Sequence, residues 1–346
     1  MEKLEKMVRI YNIDRPNSQK RMFDEQSGIL NWNDISNDFY YDFMKQLRQA
    51  FWIPSEVSIA KDYTDWQNKM SDEEKKVFKR GVGILASLDS VAEVFDYHLS
   101  QYIKDPSIKA LMSMIAYDEI THNESYSYVL SSIVPDEVAK EVFNYPKVDP
   151  YMIKRNERIM EVLNNFIQEP TIDNFVKAQV GNALLEGISF TNGFTPFYHF
   201  ARNGKMFGMA EIIEYIQKEE QIHSMVQGTI VRDVLTQYPE HNTEELSQWI
   251  YDFTREIVLH EQEYCKDLYK DTDDIDMYEV IKFIEYRANI MLDNLGLSKI
   301  FDTKKNPMAW IDAFDPQNRN RKKEDFFEKR EKNYELTTDE NGWDDL

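Results

Sequence analysis

Apolar residues recur at intervals of three and four along most of this chain, and strand-like alternation is nearly absent. That spacing predicts long amphipathic helices, and local signals set their ends. A helix over about 34–51 should stop at Trp52-Ile53-Pro54, because proline disfavours a helical residue before it, and residues 55–70 read as loop plus a short turn. Ser71-Asp-Glu-Glu74 has the capping-box pattern and opens a helix to about 103. Lys104-Asp105-Pro106 closes it and starts another to about 132. Pro135, Pro146, Pro150 and Pro170 divide 133–169 into shorter helices. Thr171 opens a long helix to about 201, Arg202-Asn203-Gly204 makes a tight turn, and helices over about 207–236, 243–271 and 276–295 follow. The expected class is all-α, with one large domain over 1–314 that begins with a polar arm over 1–32.

Two of these stripes are interrupted by polar residues. Met112, Ile115, Glu119, His122, Tyr126 and Val129 share one helical face, so a carboxylate, an imidazole and a phenol point at a core. About a hundred residues later Ile213, Ile216, Glu220, His223 and Ile230 repeat the Glu-x-x-His interruption. With six histidines and 62 acidic residues in 346, about one such pair is expected by chance, so the context has to carry the reading.

The turns supply that context. In consecutive antiparallel helices, residues at equal depth lie at equal sequence distance from the connection. With turns near 104–106 and 202–204, Glu119 should face 89–91 and Glu220 should face 184–188, and both windows contain an acid on a buried stripe, Asp89 and Glu186. Two hairpins packed face to face would bring together four carboxylates and two imidazoles. Without metal that cluster suffers repulsion and desolvation, whereas two divalent cations neutralise it. An oxygen-rich set with one nitrogen per ion suits Fe or Mn better than a thiolate-seeking metal or Ca²⁺.

The net charge of −21 and pI near 4.8 argue against a surface that binds nucleic acid or an anionic membrane directly. No run of 18 apolar residues occurs, and MEKLEKMVRIYN lacks the apolar core of a signal peptide, which leads us to expect a cytoplasmic protein. Cys265 is the only cysteine, which leaves no intrachain disulfide or zinc cluster, and its helical, charged context reads as structural. His98, His199, His241 and His260 lack the acid pairing. From about 315 the chain is too charged and too poor in aliphatics to fold alone, and reads as a flexible tail over 315–346 whose apolar Trp343 and Leu346 suit docking on a partner.

The runs LASLDS at Asp89, EITHNESY at 119–126, NALLEGISF at Glu186 and KEEQIH at 218–223 resemble the metal motifs of the small, radical-generating (beta) subunit of class I ribonucleotide reductase. AFWIPSEV around Trp52 and KKNPMAWID at 304–312 are also similar, so the resemblance spans roughly 40–312. It implies a ferritin-like homodimer with two transition-metal ions per protomer, Fe, Mn or mixed, held by Asp89, Glu119, His122, Glu186, Glu220 and His223. It implies a stored radical at Tyr126 and radical transfer through Trp52, His122 and Glu219, with Tyr334 as the redox tyrosine of the tail. The family usually has Asp before the second ligand Glu; Glu219 adds a methylene that could alter its bond to Trp52. The large catalytic subunit is the implied partner, because ribose reduction in this class needs several cysteines and this chain has one. A dimanganese form would also call for a flavoprotein activator.

The alternative on the same scaffold is a ferritin-like di-metal oxidase or monooxygenase acting on its own substrate. Tyr126 and a tail ending in Trp343 and Leu346 have no use there, and iron storage needs far fewer than 346 residues.

Overall fold

The computed structural model describes residues 3–6, 21–24, 31–35 and 37–314. Among them the regular elements are helices joined by loops and turns, with one isolated bridge between Lys3 and Thr171. The elements are α1 (Asp38–Ala50), α2 (Ala60–Asn68), α3 (Asp72–Ser100), α4 (Pro106–Ile133), α5 (Asp136–Val148), α6 (Pro150–Gln168) and α7 (Ile172–Leu184). A π-helical turn (Leu185–Phe190) and two short helices, α8 (Thr191–Gly193) and α9 (Thr195–Arg202), then lead to α10 (Phe207–Gln237), α11 (Glu244–Leu268) and α12 (Met277–Asn294). Tyr334, Trp343 and Leu346 lie outside the described residues.

Four helices make the bundle that matters. Hairpins α3–α4 and α7–α10 pack together, with α1 laid on α4, α5 and α6 on the first arms, and α11 and α12 closing the far side. The starts of the first three bundle helices follow from sequence. Ser71 and Glu74 form the reciprocal capping box of α3, at 3.2 and 2.9 Å. Asp105 accepts the amides of Ser107 and Ile108 at 2.8 and 3.1 Å to open α4 behind Pro106. Thr171 accepts from Asn174 N at 3.3 Å.

The fourth start is different, and corrects the reading of 55–70 as a loop with a short turn. Met206 precedes α10 in the left-handed region at φ 54° and has no side-chain cap. The orphan amides are taken instead by the helix α2: Asp62 accepts from Gly208 at 2.9 Å and Met209 at 2.7 Å, and Asp65 from Met206 at 3.1 Å. Both aspartates are buried, which is why a polar nine-residue helix sits against the core. Pro146 also departs from its expected role as a break, lying within α5 near its C-terminal end.

The antiparallel register is the one inferred from the turns. Asn123 of α4 donates to Ala86 O at 2.8 Å and to Ser90 Oγ at 3.0 Å on α3. On the other hairpin Asn182 and Gln227 meet at one acceptor, Asp96 Oδ1, at 3.0 and 3.1 Å. The turn between α9 and α10 uses Gly204 at φ +79°. The core around these hairpins is aromatic and aliphatic, with Phe78, Phe166, Phe175, Phe190, Phe194 and Phe197 buried.

Candidate metal centre

Asp89, Glu119, His122, Glu186, Glu220 and His223 come together at the bundle centre, all buried. Their ligand atoms form two overlapping groups, Asp89–Glu119–His122–Glu220 and Glu119–Glu186–Glu220–His223, with the atoms of each within 4.8 Å of one another. Glu119 and Glu220 belong to both. His122 Nδ1 lies 3.0 Å from Glu220 Oε1 and 3.6 Å from both Glu119 Oε2 and Asp89 Oδ1. His223 Nδ1 lies 3.0 Å from Glu119 Oε1, 3.4 Å from Glu220 Oε2 and 3.9 Å from Glu186 Oε2. Each shared carboxylate thus turns one oxygen to each imidazole.

These short separations are not hydrogen bonds. Both oxygens of Asp89, Glu119, Glu186 and Glu220, and both Nδ1 atoms, lack a hydrogen-bond partner despite complete burial. Leaving so many buried polar atoms unmet is costly. Lone pairs converging from six side chains, with one nitrogen in each group, fit a pair of divalent ions of the Fe or Mn kind. The cluster is able to hold two metal ions.

The protonation of the metal-free cluster follows from its burial. Burial holds the Asp89 carboxyl well above its usual range, reinforced by Glu119 and Glu220. Glu186 is pushed up in the same way, whereas at Glu220 burial is outweighed by the neighbouring Glu186, His122 and His223, which hold the carboxyl below its usual range. Burial alone would lower both imidazoles, but the surrounding carboxylates outweigh it and hold His122 and His223 well above the ordinary value.

Each histidine's other nitrogen is fixed from the opposite hairpin. His122 Nε2 meets Glu219 Oε2 at 2.9 Å, and the Trp52 indole N–H donates to the same oxygen at 3.0 Å. The additional methylene of Glu219 therefore does not prevent the link to Trp52. His223 Nε2 meets Asp118 Oδ2 at 3.4 Å. Asp118 was not singled out by the sequence reading, although the signal was present: the motif is acid-Glu-x-x-His in both helices, and the leading acid of each orients the histidine of the other.

Tyr126 sits one turn beyond His122, fully buried, with its hydroxyl unpartnered. Burial pushes its phenol pKa far up, with Asp89 the next contributor. Phe190, Phe194 and Ile216 are buried as well. Elsewhere, His199 and His241 pair with Asp274 and Asp173 at 2.7 and 2.6 Å, and Cys265 is buried with its thiol pushed up to about 12, as a structural cysteine should be.

Two features had no sequence signal that we used. The π-turn carries Glu186, and its carbonyls are captured from outside: Arg155 Nη2 donates to Ser189 O at 2.8 Å and Arg287 Nε to Gly187 O at 3.0 Å. Arg155 is itself held by Glu261 at 2.6 and 3.0 Å. A Cβ at Gly187 would fall 2.0 Å from Met291 Sδ, so a larger residue there would force the buried Met291 side chain to move. Burial also raises the Asp96 pKa well above the usual range, and the free amide oxygens of Asn182 and Gln227, whose nitrogens donate to it, are suited to ordered water.

The family model "Ribonucleotide reductase, small chain" matches residues 29–307. The chain is 34% identical over 349 residues to the ribonucleoside-diphosphate reductase subunit beta of Halalkalibacterium halodurans, covering 100% of both chains. With the subunit beta of Treponema pallidum it shares 30% over 311 residues, 88% of each. Among solved structures, the ribonucleotide reductase R2 subunit from Clostridium botulinum matches with a TM-score of 0.86 and 28% identity, over 90% of this chain and 99% of that one. The dimanganese(II)-NrdF of Streptococcus sanguinis matches with a TM-score of 0.73 and 26% identity, over 81% and 95%.

Proposed function

Because the chain belongs to the ribonucleotide reductase small-chain family, we propose that Asp89, Glu119, His122, Glu186, Glu220 and His223 are the ligands of its dinuclear centre and that Tyr126 stores the radical. The chain is the small subunit of a ribonucleoside-diphosphate reductase, which generates the radical that its large subunit uses to reduce ribonucleotides to deoxyribonucleotides. The observation that carries the ligand assignment is the pair of overlapping groups sharing Glu119 and Glu220, with their lone pairs unpartnered.

Bound there, the ions would supply the one-electron oxidising equivalent. The protein's own part is to hold them and manage charge. Four carboxylates balance two divalent ions, and Glu119 and Glu220 each present an oxygen to both halves. Glu219 and Asp118 fix the tautomers of His122 and His223, leaving Nδ1 of each as the ligand atom. Tyr126 is fully buried and its hydroxyl has no hydrogen-bond partner, which favours a long-lived radical. Trp52, Glu219 and His122 form a hydrogen-bonded line leading outward from the centre, and Tyr334 is assigned the redox role in the tail. Trp343 and Leu346 anchor the large subunit. Manganese loading would bring in a flavoprotein activator, and the cytoplasm is the compartment that suits the reaction.

The test is metal content. Purified chain should bind two Fe or Mn ions per protomer; Glu119→Ala or Glu220→Ala should lose at least one, and retention of both ions in the double variant would overturn the ligand set.

A further inference from the structure

The hydrogen-bonded line from the centre does not end at Trp52. Its indole is stacked on the Tyr215 ring, with centroids 5.2 Å apart and an interplanar angle of 18°. Tyr215 lies on α10 one turn before Glu219, so a single helix supplies both the carboxylate that accepts the indole N–H and the ring that covers the indole face. Trp52 is 4% exposed, whereas its neighbours Phe51 and Ile53 are 63% and 42% exposed and Tyr215 is partly buried. The stack therefore marks the outer end of a line whose inner end is His122.

An aliphatic side chain at this position could also cover the indole. What it could not do is present a π face. A ring that loses an electron becomes electron-poor, and an adjacent parallel ring stabilises it through the same quadrupole and polarisation effects that attract cations to aromatic faces.

We propose that Tyr215 is a positioning residue for electron transfer, which by stacking stabilises the oxidised form of Trp52. This rests on Trp52 being the relay. In the step, one electron leaves the Trp52 π-system along its line to His122 and fills the one-electron vacancy of the stored radical. No bond breaks, and the Nε1–H stays hydrogen-bonded to Glu219 Oε2. The indole is refilled by one electron from the large-subunit side. Tyr215 keeps its own electrons and proton, so its ring is needed and its phenolic oxygen is not.

Three variants test this: Tyr215→Phe, Tyr215→Leu and Trp52→Phe. The metal-free chain is oxidised by a flash-quenched ruthenium polypyridyl complex, and the transient absorption of the indole radical is followed, with Trp52→Phe identifying the part due to Trp52. Tyr215→Phe should match the unaltered chain. Tyr215→Leu should lower the Trp52 radical yield roughly threefold to tenfold, the factor an aromatic or cation–π contact corresponds to. Nucleotide reduction by the metal-loaded chain with its large subunit should fall in parallel at unchanged metal content. An unchanged radical yield in Tyr215→Leu overturns the proposal, and so does an equal loss in Tyr215→Phe, which would assign the effect to the phenol. Full nucleotide reduction by Trp52→Phe would instead refute the relay reading, whatever the flash experiment shows for the stack.

Discussion

Metal loading of this chain should release protons, and the amount follows from the cluster. In the metal-free state Asp89, Glu186, His122 and His223 all have pKa values held well above their ordinary ones. Ions bind only the deprotonated ligands, so filling both positions displaces up to about four protons, or two per ion. Two protons per ion make the apparent affinity rise about a hundredfold per pH unit, since each proton contributes about 1.4 kcal/mol. An ion present at 100 times its dissociation constant stabilises the fold by about 2.7 kcal/mol, and one pH unit lower, at its dissociation constant, by only about 0.4. Two ions therefore lose about 5 kcal/mol of stabilisation, on the order of 10 °C in Tm for a chain of this size. The metal-free protein should trend oppositely. A group whose folded pKa is raised contributes stability that is complete below its unfolded value and is lost as pH rises through the folded value. The four groups thus weaken the metal-free fold with rising pH, above the ordinary carboxyl range for Asp89 and Glu186 and above about 6.5 for the imidazoles. Calorimetric titration with Mn²⁺ in buffers of different ionisation enthalpy counts the protons, and thermal melts between about pH 5 and 8 give the stability gap. Fewer than about one proton per chain, or a gap that narrows as pH rises, would refute this account of the cluster.

Asp118→Asn should weaken metal binding about tenfold or more by loosening His223, read as the Mn²⁺ dissociation constant. Tyr126→Phe should leave ion content and metal oxidation intact while abolishing any tyrosyl signal in electron paramagnetic resonance; retained nucleotide reduction would move the radical store to the metal pair. Deleting the last residues, including Trp343 and Leu346, should abolish pairing with the large subunit in sedimentation while sparing metal content, and unchanged affinity would remove the tail from docking.

The site was legible in sequence because its chemistry and its geometry leave independent marks. Glu-x-x-His on an apolar stripe marks the second arm of each hairpin, and the turn at 104–106 or 202–204 locates Asp89 and Glu186 on the first. What escaped notice depends on tertiary partners. The helix α2 has a polar sequence and no side-chain cap, and its aspartates are buried because they terminate α10. The π-turn adds one residue to a helical period, a change smaller than the scatter of an apolar stripe, and is visible only when Arg155 and Arg287 are seen at its carbonyls. Asp118 is easily passed over because it lies about 100° around the helix from Glu119, off the apolar stripe, where an acid looks like surface.

The crossed arrangement of acids and histidines makes the centre almost two-fold in plan, yet unequal by a methylene at both levels. Asp89 on one half answers the longer Glu186 on the other, while Glu219 behind His122 answers the shorter Asp118 behind His223. The imidazole on the Asp89 side is gripped at 2.9 Å and its counterpart at 3.4 Å. A firmer grip makes a more basic, better oriented donor, so the two halves should fill in sequence. A single equivalent of metal would then collect beside His122, and the first ion bound, by fixing the shared Glu119 and Glu220, would set the terms on which the second is chosen.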